Sequence, residues 1–171
     1  SRIRVFSHLR SPGYKPQDLF GRYERLIDLA GTYSVTVEIE NEPVCNIATI
    51  TDLAELFGSL TEAVSPNPLP LTLRPLVDIG NAWAAGKPPT DAEIDALAPR
   101  VDLIHLKDRD SSAGRTVPLG DGDIPWAHEL ERLLAATEKA STDEILASIE
   151  THCPQDARDA TARSVAGLRR L

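Results

Sequence analysis

Four short apolar runs recur along the chain, and each ends in a polar side chain that can bind a metal ion. The runs cover residues 35–41, 75–81, 101–108 and 145–152. The polar side chains at their ends are Glu40, Asp78, His105 and Glu150. If the runs are strands of a parallel barrel, their carboxyl ends meet on one face, where active sites are built. The pattern therefore predicts one site that several strands share.

Strand-like and helix-like segments alternate along the sequence. Strands are predicted at residues 3–7, 35–40, 74–79, 101–106 and 145–150. Helices are predicted near residues 17–31, 51–60, 90–98, 125–138 and 155–170. Repeated strand–helix units indicate an α/β protein with a parallel sheet and its helices outside. No charge block or low-complexity tract interrupts them, so we predict a single domain over residues 1–171.

Composition excludes several functional classes. The net charge is −8 and the basic residues are scattered, which disfavours a nucleic-acid partner. No apolar stretch approaches the roughly 18 residues that a membrane span requires. Cys45 and Cys153 are isolated, as in a reduced compartment. We therefore expect a cytoplasmic protein that binds neither nucleic acid nor membrane.

The alternation within residues 35–40 assigns side chains to the two faces of the sheet. Glu38 and Glu40 share one face, opposite the face that packs on helices. A buried carboxylate without a partner costs several kcal/mol. We expect Arg4 to pair with Glu38 as a structural ion pair, which leaves Glu40, at the strand mouth, for chemistry.

Five motifs carry further information when they are taken in order. They are Glu40-Asn41, Val77-Asp78-Ile79-Gly80-Asn81, His105-Leu106-Lys107-Asp108, Pro118-Leu119-Gly120-Asp121-Gly122-Asp123-Ile124-Pro125-Trp126 and Ile149-Glu150-Thr151-His152. The ordered set resembles the xylose isomerase-like TIM-barrel superfamily, which includes sugar-phosphate isomerases and epimerases, inosose dehydratases and endonuclease IV relatives. The resemblance covers essentially the whole chain. It implies a (β/α)8 barrel of which roughly the C-terminal five βα units are present, with the N-terminal strands apparently missing.

The resemblance also implies one divalent metal ion, held by Glu40, Asp78, His105 and Glu150. Three carboxylates and one imidazole favour Mn²⁺ or Mg²⁺, and Co²⁺, Fe²⁺ or Zn²⁺ also fit such a site. In the epimerases of this family, two glutamates exchange a proton next to a carbonyl through a metal-stabilised enediolate. The resemblance thus implies acid/base roles for Glu40 and Glu150.

Further candidates surround these four residues. The candidates for substrate binding are Asn81, Lys107, His8 and His152. Asp108 follows the motif histidine closely and is expected to orient its imidazole or a bound water from outside the ligand set. The simpler interpretations are a surface ion pair for the lysine and aspartate, and solvated or rim positions for the two histidines.

Departures from the family separate its branches. Endonuclease IV relatives carry an Asp-x-His pair before the Gly-x-Gly turn and a histidine three residues after the strand-six aspartate. This chain has Arg115-Thr116-Val117 and Asn81 at those places, so a three-zinc cluster cannot assemble and a DNA-repair function is rejected. Asn81 also replaces a histidine that contacts substrate in many epimerases, which argues against hexulose specificity.

The leading hypothesis is a metal-dependent isomerase or epimerase that acts on a sugar, a sugar phosphate or a related polyol. An inosose-type dehydratase, which uses the same proton abstraction, is the first alternative. A non-catalytic or truncated half-barrel binding module is the second, because five strands cannot close an eight-stranded barrel. Exposed sheet edges also favour self-association, so we expect a homo-oligomer.

Overall fold

The computed structural model describes residues 1–64, 67–140 and 144–171. Its strands are β1 (Arg2–Phe6), β2 (Thr36–Glu40), β3 (Leu73–Asp78), β4 (Leu103–Leu106), β5 (Asp108–Asp110), β6 (Arg115–Val117) and β7 (Leu146–Ile149). Its α-helices are α1 (Phe20–Tyr33), α2 (Ile50–Val64), α3 (Ile79–Ala84), α4 (Asp91–Leu97), α5 (Trp126–Lys139) and α6 (Ala157–Leu168). No helix in these ranges is both long enough and apolar enough to cross a membrane.

Five strands form one parallel sheet in the order β1-β2-β3-β4-β7. Each pair of neighbours is parallel, so the carboxyl ends of all five strands lie at the same edge. Strands β5 and β6 form a separate antiparallel hairpin between β4 and α5. The sheet is an arc of a TIM barrel, which confirms the predicted α/β class and the five C-terminal βα units.

The two faces of the sheet differ in chemistry, as the alternation predicts. The side that packs on the helices is apolar and includes Val37, Ile39, Val77, Ile104 and Leu106. Each such side chain contributes roughly 1.5–3 kcal/mol when it is fully buried. The opposite face carries the charged side chains of β1, β2, β3 and β4. The apolar face therefore fixes the strands, and the fixed strands position the charges.

Two elements were not predicted. Residues 79–84 form the short helix α3, and Asp78 caps it by accepting a hydrogen bond from the backbone N–H of Asn81 at 2.7 Å. The segment after β4, predicted as a long loop, contains the β5–β6 hairpin. Both elements are too short to show a periodic apolar pattern. Helix α4, in contrast, begins with a capping box that the sequence shows directly: Thr90 is the N-cap and Glu93 is the third helical residue.

The predicted ion pair between Arg4 and Glu38 is wrong. Arg2 pairs with Glu38, whereas the Arg4 guanidinium lies 3.1 Å from Glu40 Oε2 and 2.8 Å from Glu150 Oε1. Arg4 and Glu38 are opposite each other in the backbone register, but a long arginine leans along the strand and reaches the next glutamate. The charged face is thus divided into one layer around Glu38 and another around Glu40.

The outer strands of the described sheet have edges on which apolar side chains are exposed. Ile3 and Phe6 of β1 and Leu146 of β7 are all more than two-fifths exposed, at 52%, 46% and 43%. Edges of this kind favour pairing with another chain or segment. The homo-oligomer, like the single domain over residues 1–171, stays a prediction.

The contact between α6 and the turn after β6 gives a test of the packing. A Cβ atom at Gly167 would overlap the carbonyl group of Leu119, so we expect Gly167→Ala to destabilise the protein by about 1–3 kcal/mol. A matched control is Gly58→Ala on α2. An added Cβ atom there would meet no neighbouring atom within 4 Å, so alanine should stabilise the helix by about 0.5–1 kcal/mol. Urea unfolding of both variants measures the difference. Equal stabilities would contradict the described packing of α6.

Candidate metal centre

The four predicted ligands come together at the carboxyl edge of the sheet. Glu40 and Asp78 are the last residues of β2 and β3, His105 lies in β4, and Glu150 directly follows β7. One potential ligand atom from each of the four lies within 4.8 Å of the others. Because the strands are parallel and in register, residues far apart in sequence meet at a single point. We call Glu40, Asp78, His105 and Glu150 the carboxylate–histidine cluster.

The His105 imidazole lies between the three carboxylates. Its Nδ1 atom is 3.1 Å from Glu40 Oε1, 3.3 Å from Glu150 Oε1 and 3.7 Å from Asp78 Oδ2. Glu40, Asp78 and His105 are buried, and Glu150 is partly buried. One ring nitrogen therefore faces three carboxylate oxygens. This arrangement suits either a proton or a metal cation held between them.

Two further cationic groups reach the same carboxylates. Lys107 Nζ is 2.7 Å from Asp78 Oδ2 and 3.0 Å from Glu150 Oε2, and its side chain is only 7% exposed. Arg4 lies against Glu40 and Glu150 from the β1 side. Together with His105, they give three cationic groups for three carboxylates. This balance explains how so much charge is tolerated in a mostly buried place.

The pKa values follow from this crowding. Burial lowers the pKa of His105, but its contacts with Asp78 and Glu40 and the charges of Glu40 and Glu150 outweigh burial and raise it to about 9. Burial raises the pKa of Glu150, but Lys107 and His105 outweigh burial and lower it to about 2. For Glu40 burial prevails, and its pKa is raised despite His105. The three carboxylates therefore favour the protonated form of the imidazole.

The donor set fits a divalent metal ion. Glu40 Oε2 and Asp78 Oδ2 are fully buried, and their cationic partners Arg4 and Lys107 lie 3.1 and 2.7 Å away. Buried carboxylate oxygens need a cation beside them, and a divalent ion would meet the same need. Carboxylate oxygens with one imidazole nitrogen suit Mg²⁺ or Mn²⁺ and also accommodate Zn²⁺.

Two asparagines hold the cluster in place. Asn41 donates from Nδ2 to the Asp78 carbonyl and accepts from the Asp78 N–H through Oδ1, both at 2.9 Å. Asn81 donates to the Asn41 carbonyl at 2.8 Å and lies 3.4 Å from Glu40 Oε1. Asn41 thus fixes the end of β3 against the end of β2. In the sequence, Asn41 stands out only as the neighbour of Glu40 in a motif, and no local pattern indicates this role.

Gly80 makes room for Lys107. A Cβ atom at Gly80 would overlap Lys107 Cγ and lie 2.8 Å from the Lys107 carbonyl oxygen. Only glycine permits this approach without displacement of the lysine or its backbone. No sequence pattern predicts this role, because it depends on a contact between two strand ends.

Three of the four predicted substrate-binding residues border one small cavity. Asn81, Lys107 and His152 line a space of about 120 Å³ beside the cluster, together with Glu42 and Arg109. The His152 Nε2 atom is 3.1 Å from Glu150 Oε2, and the residue is exposed. The lining is mainly polar, which suits a ligand rich in hydroxyl groups.

The fourth predicted residue, His8, is not brought to the cluster. It is exposed after β1, and its ring contacts Arg22 on α1. A position just beyond a strand end gave the same sequence signal as the true cluster residues. The strand end alone does not determine where the following loop turns.

Asp108 organises a loop. Its carboxylate accepts hydrogen bonds from the backbone N–H groups of Arg109, Gly120, Gly122 and Ile124 at 2.8–3.2 Å. The expected hydrogen bond to the His105 imidazole is not among those of the described residues. Asp108 is buried, and it ties the segment that follows β6 to the end of β4. Its effect on the cluster is therefore through the backbone.

Asp108→Asn tests this role. The asparagine can present only one oxygen, so two N–H donors would face an NH₂ group, and we expect a loss of about 2–4 kcal/mol in the free energy of unfolding. Asp110→Asn is the control, because one oxygen of that half-buried carboxylate accepts the hydrogen bonds of both the Ser112 hydroxyl and the Ala113 N–H. Urea unfolding and amide exchange over residues 119–124 provide the measurement. A wild-type exchange rate in Asp108→Asn would contradict the role.

Solved structures of known proteins share this fold. The chain aligns with the IOLI protein with a bound zinc atom at a TM-score of 0.70 and 15% identity, over 98% of this chain and 61% of that chain. It aligns with the probable 3-DHS dehydratase AsbF from Bacillus anthracis at a TM-score of 0.69 and 21% identity, over 98% of this chain and 63% of that chain. A xylose isomerase-like TIM barrel protein from Mycobacterium smegmatis in complex with magnesium gives a TM-score of 0.55 and 15% identity, over 94% of this chain and 54% of that chain.

The chain thus spans about three-fifths of the length of the first two proteins. A search of curated proteins gives no significant match. One family model, described as xylose isomerase-like TIM barrel, matches residues 8–171. This match extends over nearly the whole chain and includes all four cluster residues. The chain therefore belongs to the xylose isomerase-like TIM-barrel family.

Proposed function

We propose that the chain carries the metal centre of an isomerase or epimerase that acts on a sugar, a sugar phosphate or a related polyol. The observation that carries the proposal is the convergence of three carboxylates and one imidazole within 4.8 Å at the active-site edge of the sheet. Two of the three carboxylates are glutamates, and they approach His105 from β2 and from the end of β7. A small polar cavity adjoins them.

Glu40, Asp78, His105 and Glu150 are the residues that would hold the metal ion. A bound divalent ion supplies a Lewis acid that polarises a carbonyl oxygen and stabilises the negative charge left by proton removal. The charge and oxygen preference of Mg²⁺ or Mn²⁺ fit these residues best. The neighbouring structures with zinc and with magnesium support divalent metal binding as a property of such sites, without deciding which ion this chain takes.

Glu40 and Glu150 are the proposed acid and base. One carboxylate removes the proton from the carbon next to the substrate carbonyl, and the other delivers a proton to the neighbouring position or to the opposite face. Arg4 lies against both glutamates and limits the repulsion between them. Asn81 and His152 border the cavity and are the proposed contacts for substrate hydroxyl groups.

Metal binding is the first test. We expect about one divalent ion per chain after dialysis against Mn²⁺, and its loss in Glu150→Gln and in His105→Ala, because each variant removes a ligand. Glu24→Gln on the exposed side of α1 is the matched control and should bind as the wild type does. Elemental analysis of the folded variants measures the metal content. A folded wild-type chain without metal would overturn the catalytic proposal and leave the half-barrel binding module.

The affinity for metal should also depend on pH. A histidine must be neutral to bind a metal ion. Because the neighbouring carboxylates raise the pKa of His105 to about 9, metal binding at neutral pH must displace a proton from it. The association constant should therefore rise with pH, by up to about tenfold per unit between pH 6.5 and 8.5. Calorimetry in two buffers of different ionisation enthalpy counts the protons released. An affinity that stays constant over this range would contradict the assignment of His105 as a ligand.

Proton exchange tests the catalytic step. In D₂O, the loaded wild-type protein should introduce deuterium next to the carbonyl of a substrate from a panel of ketoses, their phosphates and inososes. Glu40→Gln and Glu150→Gln should each reduce this exchange about 10²-fold or more, because the amide cannot accept the proton and, in Glu150→Gln, because the metal ion is lost as well. Glu24→Gln again serves as the control. Unchanged exchange in either cluster variant would remove that glutamate from the proposed acid/base pair.

A dehydratase is the second candidate. The structural likeness to the probable 3-DHS dehydratase favours it, because the same carboxylate pair can remove the proton before a hydroxyl group leaves. The product distinguishes the two reactions. An isomerase or epimerase conserves the substrate mass, whereas a dehydratase product is lighter by one water molecule, and mass spectrometry of the same reactions detects this loss.

A further inference from the structure

We propose that Lys107 is a built-in counter-ion of the metal-free cluster, which a divalent metal ion displaces into the adjoining cavity, where its ammonium group binds substrate oxygen. The inference rests on the proposed metal centre and goes beyond it, because it couples metal binding to formation of the substrate site. Metal would then have to bind before substrate. Each time a metal ion binds, Lys107 would exchange its carboxylate partners for a substrate oxygen.

The first support is the position of the ammonium group. Lys107 Nζ bridges Asp78 Oδ2 and Glu150 Oε2, at 2.7 and 3.0 Å. These carboxylates belong to two of the four residues whose ligand atoms lie within 4.8 Å of one another. The ammonium thus neutralises oxygens that a metal ion would need. A monovalent cation on the protein and a divalent ion cannot share them without strong repulsion.

The second support is that the fold is shaped for this lysine. Gly80 leaves the space through which the Lys107 stem passes, since any Cβ there would overlap Lys107 Cγ. The side chain is 7% exposed, which is rare for lysine unless it is paired. A surface lysine that had met an acidic patch by chance would require neither the glycine nor the burial.

The third support is that a cavity lies next to Lys107 into which its ammonium group can move. Lys107 also lines the cavity of about 120 Å³ beside the cluster, together with Asn81 and His152. A short rotation of the flexible lysine stem carries the ammonium from the carboxylates to this space. There it is a compact donor of up to three hydrogen bonds, suited to hydroxyl, carbonyl or phosphate oxygen. Metal would therefore complete the substrate site and fill its own site together.

Lysine reactivity provides a test that needs no substrate. The chain has four lysines, and Lys15, Lys87 and Lys139 are all exposed, which supplies three internal references. The full 171-residue wild-type chain is acetylated with a water-soluble acetyl ester, without metal and with saturating Mg²⁺, and mass spectrometry reads each site. We expect Lys107 to be the least acetylated lysine without metal and to become severalfold more reactive with Mg²⁺. The reference lysines should not change.

Metal affinity provides a second test. In Lys107→Met the metal ion no longer displaces an ammonium group, so we expect Mg²⁺ and Mn²⁺ to bind about tenfold more tightly than to the wild type. Lys139→Met removes the same charge from an exposed site on α5 and should leave the affinity unchanged. Calorimetry measures both. If Lys107→Met does not fold, the acetylation of the wild-type chain decides.

The outcomes separate this inference from the proposed function. A Lys107 reactivity that metal does not raise, or weaker metal binding by folded Lys107→Met, overturns the counter-ion role while the metal centre stands. A wild-type chain that binds no divalent ion overturns both. Metal binding with release of Lys107, but without proton exchange on any substrate, supports the inference and counts against the proposed reaction.

Discussion

The structure depends on the neutralisation of carboxylates that the sheet buries on its inner face. Glu38 is fully buried and Glu40 is 1% exposed, and each would cost several kcal/mol without a partner. Arg2 forms an ion pair with Glu38, and Arg4 and His105 both lie against the Glu40 carboxylate. The apolar helix-facing residues hold the strands in the register that brings these charges together. Packing and electrostatics therefore act on opposite faces of the same strands.

The same constraint explains residues whose own chemistry is modest. Asn41 locks the end of β2 to the end of β3 through a reciprocal pair of hydrogen bonds. Gly80 admits the Lys107 side chain, and Asp108 binds three backbone N–H groups of the neighbouring loop. None of them belongs to the proposed ligand set. Asn41 fixes the ligand Asp78, while Gly80 and Asp108 fix the lysine and the loop beside the cluster, and a site with charges a few ångströms apart requires this precision.

Charge balance also bears on the proposed metal centre. Three cationic groups face the three carboxylates, so a divalent ion would have to replace positive charge that is already there. The affinity for metal would then be linked to protons and to side-chain position. Removal of these cations would favour metal binding, but it would leave buried carboxylates unpaired whenever no ion is bound. Stability of the chain and affinity for metal would therefore oppose each other.

The sequence by itself determined the βα order, the apolar face and the carboxyl-end position of Glu40, Asp78, His105 and Glu150, because strand alternation and parallel topology follow from local patterns. Only the tertiary structure decided the ion pairs, since Arg4 reaches past its register partner to the next glutamate. It also decided which strand-end residues meet: His8 contacts Arg22 on α1, although its sequence position resembles the others. Loop direction and side-chain reach depend on contacts between distant segments, which no local pattern records.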